Sequence, residues 1–343
     1  MPQIVLAHDR FTDGEAKTAE ALIRYASDPV VAVVDRSASI DTAEPVVGAA
    51  GREIPVVRDA DEALSLDADR LAIGVAPVGG RVPDDWRPDL RAALEEGLDI
   101  VSGLHDFLAE DEELAKLARG HGAELHDLRR PPPDQPIYSS QVLDLDATIV
   151  LTVGTDCSSG KMTTSVELVR ALRDRGVDTA FAATGQTGLM LGADAGVVVD
   201  AVAADFVAGW GEKIVLDAHE ATGADVIVTE GQGALSHPAY GAVTLGLLHG
   251  TSPHACVLCH DETREEKTTT FHEGRRFPVL DPVREWRRLQ AVADPVRRPS
   301  LAGLSVMNGP LAIPDDHPFA DVPQVDVLAD GAHRLAAQVE AID

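Results

Sequence analysis

Short apolar runs alternate with amphipathic stretches along the first 130 residues of the chain. Helical spacing of the apolar positions predicts helices at residues 15–26, 84–96 and 111–119. The apolar runs between them have the length of buried strands and lie at residues 4–8, 30–35, 54–57, 71–76, 99–102 and 124–128. Because strands that alternate with helices usually pair in parallel, this pattern predicts a doubly wound α/β domain.

The same alternation returns after a proline-rich segment at residues 129–136. Proline runs form extended, semi-rigid connectors, so we predict a domain boundary near residues 130–145, with domains at 1–135 and 146–343. In the second domain the predicted strands lie at 148–153, 179–183, 197–200, 226–230, 256–260 and 304–307, and the predicted helices at 161–174, 205–222, 282–293 and 331–341. This pattern predicts a second parallel-sheet α/β domain with three layers.

The charge of the chain limits its partners. The 343 residues include 57 acidic and 29 basic side chains, a formal net charge of −28, and only five of the basic residues are lysines. The acids are dispersed, and a surface of this kind repels itself unless salt screens it, which predicts a halophilic source. No basic patch is evident to replace phosphate counterions, so the charge argues against nucleic acid and anionic membranes as partners. We expect small-molecule substrates and a homo-oligomer.

Neither membrane insertion nor a metal site is predicted. No apolar run reaches the length of a membrane span, and the first residues lack the basic segment of a signal peptide, so we expect a cytoplasmic protein. Cys256 and Cys259, flanked by His254 and His260, have the spacing of zinc ligands. Side chains three apart in a strand point to opposite faces, however, so ordinary core packing is the prediction for both.

The first domain lacks the glycine fingerprint of dinucleotide-binding proteins. No G-x-G-x-x-G follows the first predicted strand. Asp35 ends the second strand, where a ribose-binding acid can lie. Without the glycines we expect Asp35 to be a turn residue, and we predict no NAD binding.

A phosphate-binding loop is the strongest motif of the chain. Residues 154–163 read Gly-Thr-Asp-Cys-Ser-Ser-Gly-Lys-Met-Thr and join the strand at 148–153 to the helix at 161–174. The N–H groups of such a loop, the helix N-terminus and Lys161 together make a concave electropositive site. The alternative is a glycine-rich turn that only caps the helix. The predicted phosphate-binding residues are Gly154, Thr155, Cys157, Ser158, Ser159, Gly160, Lys161, Met162, Thr163 and Thr164.

The residue after Lys161 bears on the chemistry of this loop. Nucleotide-hydrolysing loops carry Ser or Thr there, whose hydroxyl binds Mg²⁺, whereas this chain has Met162. Thr163 is one helical step further and points about 100° away. Either Thr163 supplies the hydroxyl through an altered turn, or the loop binds phosphates without such a magnesium ion; we favour the second.

The chain resembles one known family along nearly its whole length. Gly154-Thr155-Asp156, with five residues between the loop glycines, and the segment 228–233 resemble the dethiobiotin synthetase group of P-loop proteins. The wider pattern resembles domain-of-unknown-function family 1611, and the stretches that carry this resemblance are 14–19, 24–25, 154–164, 184–188, 205–209 and 230–240. The resemblance implies a Rossmann-like N-terminal domain and a P-loop C-terminal domain.

The same resemblance implies acyl transfer to a D-amino acid. Some members of the family are N-acetyltransferases that act on D-glutamate with acetyl-CoA, a co-substrate whose phosphates need not be cleaved. An ATP-dependent ligase or kinase of the dethiobiotin synthetase type, with Mg-ATP, is the alternative. A nucleotide-sensing or scaffold protein without turnover is the third hypothesis.

Making an amide from an amine and a thioester needs a base, donors for the oxyanion and close positioning of the reactants. Polar segments follow several predicted strands, and the carboxyl ends of parallel strands meet at one edge of a sheet. Glu230 and His237 are therefore candidate bases, and Asp156 is a candidate to hold the substrate ammonium. Alternatively, Glu230 is a capping carboxylate, His237 packs before Pro238, and Asp156 braces the loop.

An acidic acceptor also needs cationic partners. Arginine forks suit carboxylates and phosphates alike, and several cations follow the strand at 256–260; the alternative is an ordinary solvated loop. These cations are Arg264, Lys267, Arg275 and Arg276. The predicted substrate-binding residues are Gln186, Gln232, Arg264 and Lys267.

Overall fold

A computed structural model describes residues 1–77, 79–314 and 316–342. The chain divides into two compact units, residues 1–131 with 189–192, and residues 132–188 with the chain from 193 onward. Each unit holds its own parallel sheet, six strands in the first and seven in the second, flanked by helices. The predicted fold class, two α/β domains with parallel sheets, is confirmed.

The first unit has the strand order of a Rossmann-like domain. All its strands pair in parallel, in the order β3-β2-β1-β4-β5-β6. The strands are β1 (Gln3–Leu6), β2 (Val30–Val34), β3 (Val56–Val57), β4 (Arg70–Ile73), β5 (Asp99–Ser102) and β6 (Leu125–Asp127). The helices are α1 (Lys17–Tyr25), α2 (Glu44–Val47), α3 (Ala60–Ala63), α4 (Arg87–Glu95) and α5 (Glu112–His121).

Asp35 holds the loop that follows β1. Its carboxylate accepts hydrogen bonds from the backbone N–H groups of Asp9 (2.8 Å), Phe11 (3.2 Å) and Ser37 (2.9 Å). In a dinucleotide-binding domain the acid at this position faces a ribose. Here the carboxylate accepts hydrogen bonds from backbone N–H groups of its own domain, which is the turn role that the sequence predicts.

The second unit is built around β7, which lies in the middle of its sheet. The order is β13-β12-β11-β7-β10-β8-β9, and all pairs are parallel. The strands are β7 (Thr148–Gly154), β8 (Thr179–Ala183), β9 (Ala195–Gly196), β10 (Val226–Thr229), β11 (Ala255–Asp261), β12 (Ser300–Met307) and β13 (Gln324–Val325). The helices are α6 (Lys161–Asp174), α7 (Gln186–Met190), α8 (Val207–Thr222), α9 (Gly241–Thr251), α10 (Pro282–Ala293) and α11 (His333–Glu340).

Helices cover both faces of the second sheet. Ile149 and Leu151 of β7 point to the face on which α8, α9 and α10 pack. On the opposite face Thr152 hydrogen-bonds Ser165 of α6 at 3.0 Å, and α11 packs beside α6. The result is the three-layer domain that the sequence predicts.

Several local features differ from the sequence prediction or refine it. Residues 197–200 were expected to form a strand, but β9 ends before them and Val199–Ala201 is a short 3₁₀ turn. Val142 is fully buried among residues of the second unit, so the segment after the proline run packs there. Cys256 packs against the α10 side of the sheet, whereas the Cys259 thiol contacts Thr164 of α6 at 3.5 Å, which confirms that the two cysteines face opposite ways.

Helix α9 was not predicted. Its sequence, Gly-Ala-Val-Thr-Leu-Gly-Leu-Leu-His-Gly-Thr, combines three glycines with β-branched residues and has no amphipathic pattern. Packing against α8 explains it, because a Cβ at Gly250 would lie 2.1 Å from the carbonyl oxygen of Ala208. Only glycine allows the two helix backbones to approach this closely. None of the helices in the described part of the chain has the length and apolar character that spanning a bilayer requires.

Candidate functional site

The loop between β7 and α6 has the backbone shape of a phosphate cradle. Ser158 and Gly160 adopt left-handed conformations, with φ of 51° and 89°. A Cβ at Gly154 would lie 2.5 Å from Oγ of Ser159 and 3.0 Å from Nζ of Lys161, so any other residue here would displace these two side chains. Alternating backbone handedness turns successive N–H groups toward one concavity, which suits an anion.

Lys161 supplies the charge of this concavity. Its ammonium is buried and donates hydrogen bonds to the carbonyl oxygen of Asp156 (2.7 Å) and the hydroxyl of Ser159 (3.4 Å). Both acceptors are neutral, so neither compensates the positive charge. Burial accordingly lowers the pKa of Lys161. The Asp156 and Glu230 carboxylates oppose this shift of the pKa without bonding the ammonium, so a phosphate would supply a directly bonded anion.

Of the other predicted loop residues, two form hydrogen bonds to neighbouring strands, and several others are exposed or half-buried. Thr155 contacts Nδ1 of His260 at 2.8 Å, and Thr164 contacts the hydroxyl of Ser305 at 2.7 Å, so both hydroxyls hold the loop to neighbouring strands. Ser158 is exposed, whereas Cys157, Met162 and Thr163 are half-buried. Burial raises the pKa of the Cys157 thiol, which keeps it protonated and unreactive.

Glu230 lies immediately after β10, buried beside the lysine. One carboxylate oxygen accepts hydrogen bonds from the N–H groups of Thr184 and Gly185, both at 3.1 Å, and the other from the Gln232 amide at 3.2 Å. Burial raises the pKa of Glu230 to about 7, against the opposing effects of these donors and of the Lys161 charge. A carboxylate with this pKa changes protonation near neutral pH, as a general base requires.

Gln232 and Gln186 occupy different places around this carboxylate. The Gln232 amide donates to Glu230 and to Thr184 Oγ1 (3.1 Å), so it orients the carboxylate. Gln186 is half-buried at the first position of α7. A Cβ at Gly188 would come within 2.9 Å of the Glu230 carboxylate, which explains the glycine there.

Asp156 joins the loop to the segment that follows β11. Oδ2 of Asp156 accepts hydrogen bonds from the N–H (2.8 Å) and hydroxyl (2.9 Å) of Thr268, and the Arg264 guanidinium lies at 3.3 Å. Oδ1 is buried and has no hydrogen-bond partner among the described residues. It lies 3.8 Å from Nε2 of His237. The carboxylate therefore braces the loop with one oxygen and leaves the other for a ligand.

His237 faces this second oxygen with a defined tautomer. Its Nδ1 accepts a hydrogen bond from the N–H of Ala239 at 3.2 Å, so the neutral ring carries its proton on Nε2. Burial lowers the pKa of His237, and the nearby lysine charges act in the same direction against the opposing Asp156 carboxylate. Nε2 also lacks a partner among the residues described. The ring is thus a neutral N–H donor whose buried nitrogen faces Oδ1 of Asp156, the oxygen left unpartnered in the described part of the chain.

The same place contains the residue types of a metal site. Asp156, Cys157 and His237 offer three ligand atoms within 4.8 Å of one another. A metal would need a lone pair on Nε2, but the Ala239 N–H on Nδ1 places the proton there. Lys161 and Arg264 also bring positive charge to Asp156. The arrangement suits a hydrogen-bonded ligand better than a cation.

Arg264 and Lys267 turn inward to the loop. Arg264 donates to the carbonyl oxygen of Cys157 at 2.6 Å, and buried Lys267 donates to the carbonyl oxygen of Thr155 (2.5 Å) and to Ser236 (2.9 Å). The structure therefore brings both cations to Asp156, but with protein oxygens as their partners. Arg275 and Arg276 of the same predicted cluster are exposed instead.

Three functional neighbours were missed in the sequence. Thr184 and Ser236 lie within the polar strand-end segments, so their positions were available as a signal. Thr268 carried no such signal, because it is an ordinary threonine seven residues beyond the end of β11. Only the folding back of residues 264–280 brings it to Asp156.

Comparisons with known proteins agree over both units. A family model described as "Domain of unknown function (DUF1611_C) P-loop domain" matches residues 136–316, and a "(DUF1611_N) Rossmann-like domain" model matches 38–131. A crystal structure of a DUF1611 family protein from Anabaena variabilis has a TM-score of 0.86 and 32% sequence identity, and the match covers 99% of each chain.

Two curated relatives carry a functional name. A protein of a Pseudoalteromonas species named D-glutamate N-acetyltransferase is 37% identical over 287 residues, 81% of this chain and 83% of the relative. A protein of the same name from Tritonibacter scottomollicae is 37% identical over 294 residues, 82% of this chain and 84% of the relative.

Proposed function

The chain belongs to the DUF1611 family, and on that premise we propose that it is an N-acetyltransferase that acetylates the amine of a D-amino acid, D-glutamate, with acetyl-CoA as donor. The names of the two relatives support the reaction and the acceptor. The observation that carries the proposal within the site is Glu230, a buried carboxylate with a pKa of about 7 beside a phosphate cradle.

The cradle fits the diphosphate of CoA. It has a glycine where a Cβ would collide, left-handed residues in the loop, and a buried lysine whose only hydrogen-bond acceptors in the described structure are neutral. Acetyl-CoA supplies a thioester carbonyl activated toward amines, and no phosphate bond has to break. Met162 in place of a Mg²⁺-binding hydroxyl agrees with a loop that binds phosphates without cleaving them.

Glu230 is the base in this proposal. The amino group of the acceptor must lose a proton before its nitrogen attacks, and ionised Glu230 accepts that proton. The nitrogen adds to the thioester carbonyl and forms a tetrahedral oxyanion. When this intermediate collapses the C–S bond breaks, the second nitrogen proton neutralises the departing thiolate, and Glu230 releases its proton to water. His237 is the less suitable base, since its Nδ1 accepts from Ala239 and its Nε2 already carries hydrogen.

His237 instead supplies a donor for the oxyanion. A neutral imidazole N–H in a buried site stabilises developing negative charge without reorganising. Asp156 Oδ1, at 3.8 Å from that nitrogen, faces the same position and is placed to accept from the substrate ammonium. Arg264, which lies beside it and is partly accessible, is the proposed partner of an acceptor carboxylate, whereas buried Lys267 supports the loop through Thr155 and Ser236.

The direct test is an assay of purified protein with acetyl-CoA and D-glutamate, with L-glutamate as the control acceptor. N-acetyl-D-glutamate, identified by mass spectrometry, is the expected product. Mg-ATP replaces acetyl-CoA in a parallel reaction, because the P-loop fold also accommodates the ligase or kinase alternative. Rapid ATP turnover without acetyl transfer would refute the proposal in favour of that alternative.

A further inference from the structure

A chain of aromatic rings leads from the buried site to the surface of the second unit. Tyr240 stacks on His237 with ring centroids 4.7 Å apart, and Phe271 lies 6.1 Å from the same imidazole on another side. Phe277 packs edge-on against Phe271 at 5.0 Å. The rings are thus continuous with the Asp156–His237 pair.

The outer rings are unusually exposed for their type. Tyr240 is 45% and Phe277 40% accessible, although apolar rings of this size are normally covered. Arg275 and Arg276 lie next to Phe277, with side chains 67% and 49% accessible. Their ion pairs, with Glu273 and Glu266, are both long at 3.6 Å. An exposed ring and two exposed, ion-paired arginines are therefore consecutive residues on a chain of net charge −28.

One folded-back segment connects this surface to the phosphate cradle. Backbone hydrogen bonds join Lys267 N–H to Phe277 O (2.7 Å) and Val279 N–H to Glu265 O (2.8 Å). One arm of the segment contacts the loop through Lys267 and Thr268, and its tip carries Phe271–Phe277. The segment that contacts the cradle therefore also carries the tip, toward which a ligand longer than its phosphates would extend.

We infer that Phe271, Phe277, Arg275 and Arg276, the ring–arginine patch, bind the adenosine 3′-phosphate end of the acyl donor. The inference rests on the proposed function and identifies the subsite that recognises this donor. A purine offers a π-face for stacking on exposed aromatic rings, and a phosphate monoester suits guanidinium groups. Both partners are exposed within the tip of one segment, and a bare D-glutamate has no planar group that would use the rings.

The test compares two donors that differ by one phosphate. KM is measured for acetyl-CoA and for acetyl-3′-dephospho-CoA, with the wild type and with the double variant Arg275→Ala/Arg276→Ala. We expect a rise of about fivefold in KM for acetyl-CoA and less than about twofold for the dephospho donor. The KCl concentration is the lowest that preserves the fold, because salt screens exposed contacts. Arg52→Ala, an exposed ion-paired arginine of the first unit, is the matched control.

A second pair of variants tests the rings. Phe277→Leu keeps apolar area and loses the ring, whereas Phe277→Tyr keeps the ring. We expect Phe277→Leu to raise KM for both donors by about threefold and Phe277→Tyr to leave it unchanged. Circular dichroism and melting curves establish that each variant is folded.

The outcomes separate this inference from the proposed function. Equal KM changes for both donors in the arginine variant, or a change in KM for D-glutamate instead, would overturn the inference while acetyl transfer stands. If the wild type transfers no acetyl group, the proposed function fails. Calorimetric titration with CoA and dephospho-CoA then tests the subsite independently of acetyl transfer. Equal affinities for the two molecules would refute the subsite.

Discussion

Replacing Glu230 by glutamine should stabilise the protein and abolish its activity together. Raising the pKa of this carboxyl from 4.5 to about 7 makes its ionisation about 3 kcal/mol less favourable in the folded chain than in the unfolded chain. For an acid whose folded pKa is raised, stability is greatest below the unfolded pKa and falls as the pH rises toward the folded one. The stability loss therefore spans the window from about 4.5 to about 7.

The neutral amide of Glu230→Gln avoids this loss and can keep the hydrogen bonds from Thr184 and Gly185. Relative to the variant, the wild type should lose about 2 kcal/mol of unfolding free energy between pH 5.5 and 8.5. Acetyl transfer by the wild type should rise over the same interval, because the base must be ionised. In the variant it should fall by about 10²–10⁴-fold.

Urea unfolding at constant salt across this pH range measures the first quantity. Taking the difference between the two proteins cancels the other titrating acids, and Glu220→Gln on the exposed side of α8 controls for the loss of one charge. A pH-independent difference would show that burial does not raise the pKa of Glu230. A variant that retains wild-type turnover would remove Glu230 as the base, whatever its stability.

Other consequences can be checked separately. Lys161→Ala should weaken CoA binding by about 1.5–3 kcal/mol in calorimetry, because a buried charged donor to phosphate is lost, whereas Lys213→Ala, at the half-buried lysine of α8, should not; unchanged affinity would reject the cradle. Met162→Thr should not create substantial ATPase activity in a phosphate-release assay, and rapid native hydrolysis of Mg-ATP would contradict our interpretation of Met162. The melting temperature should climb as KCl rises to molar concentration, since salt screens the −28 charge; a flat or falling curve refutes the halophilic prediction, and the chloride of a bulky organic cation separates screening from specific cation binding.

Local signals in the sequence predicted helix boundaries correctly where a single physical effect determines them. Helix α10 matches its predicted range of 282–293 because Pro282 lies at its first turn and Asp281 accepts hydrogen bonds from the first free N–H groups. Helix α6 likewise matches 161–174, since the phosphate loop fixes its start. Helix α9 escaped prediction because helix–helix packing, not propensity, decides its fold.

The sequence predicted which strand ends form the candidate site, but not the directions of the side chains in it. The carboxyl ends of β7, β10 and β11 bring Glu230, Asp156 and Arg264 to one edge, as parallel topology requires. Sequence could not tell that Arg264 would bind a loop carbonyl, or that Ala239 would fix the His237 tautomer. Both contacts depend on backbone groups. Because these groups have the same chemistry at every residue, the residue types do not reveal such contacts.

The contact between α8 and α9 has a consequence for the precision of the site. At Gly250 the α9 backbone meets the α8 backbone at Ala208, and at Gly246 it packs against the short, branched side chain of Val207, so the contact has few alternative rotamers to sample. Helix α9 begins directly after Tyr240, three residues beyond His237. The connection that carries the imidazole is therefore anchored to a close helix contact with little side-chain freedom. Such a contact limits how far the imidazole can move relative to the sheet.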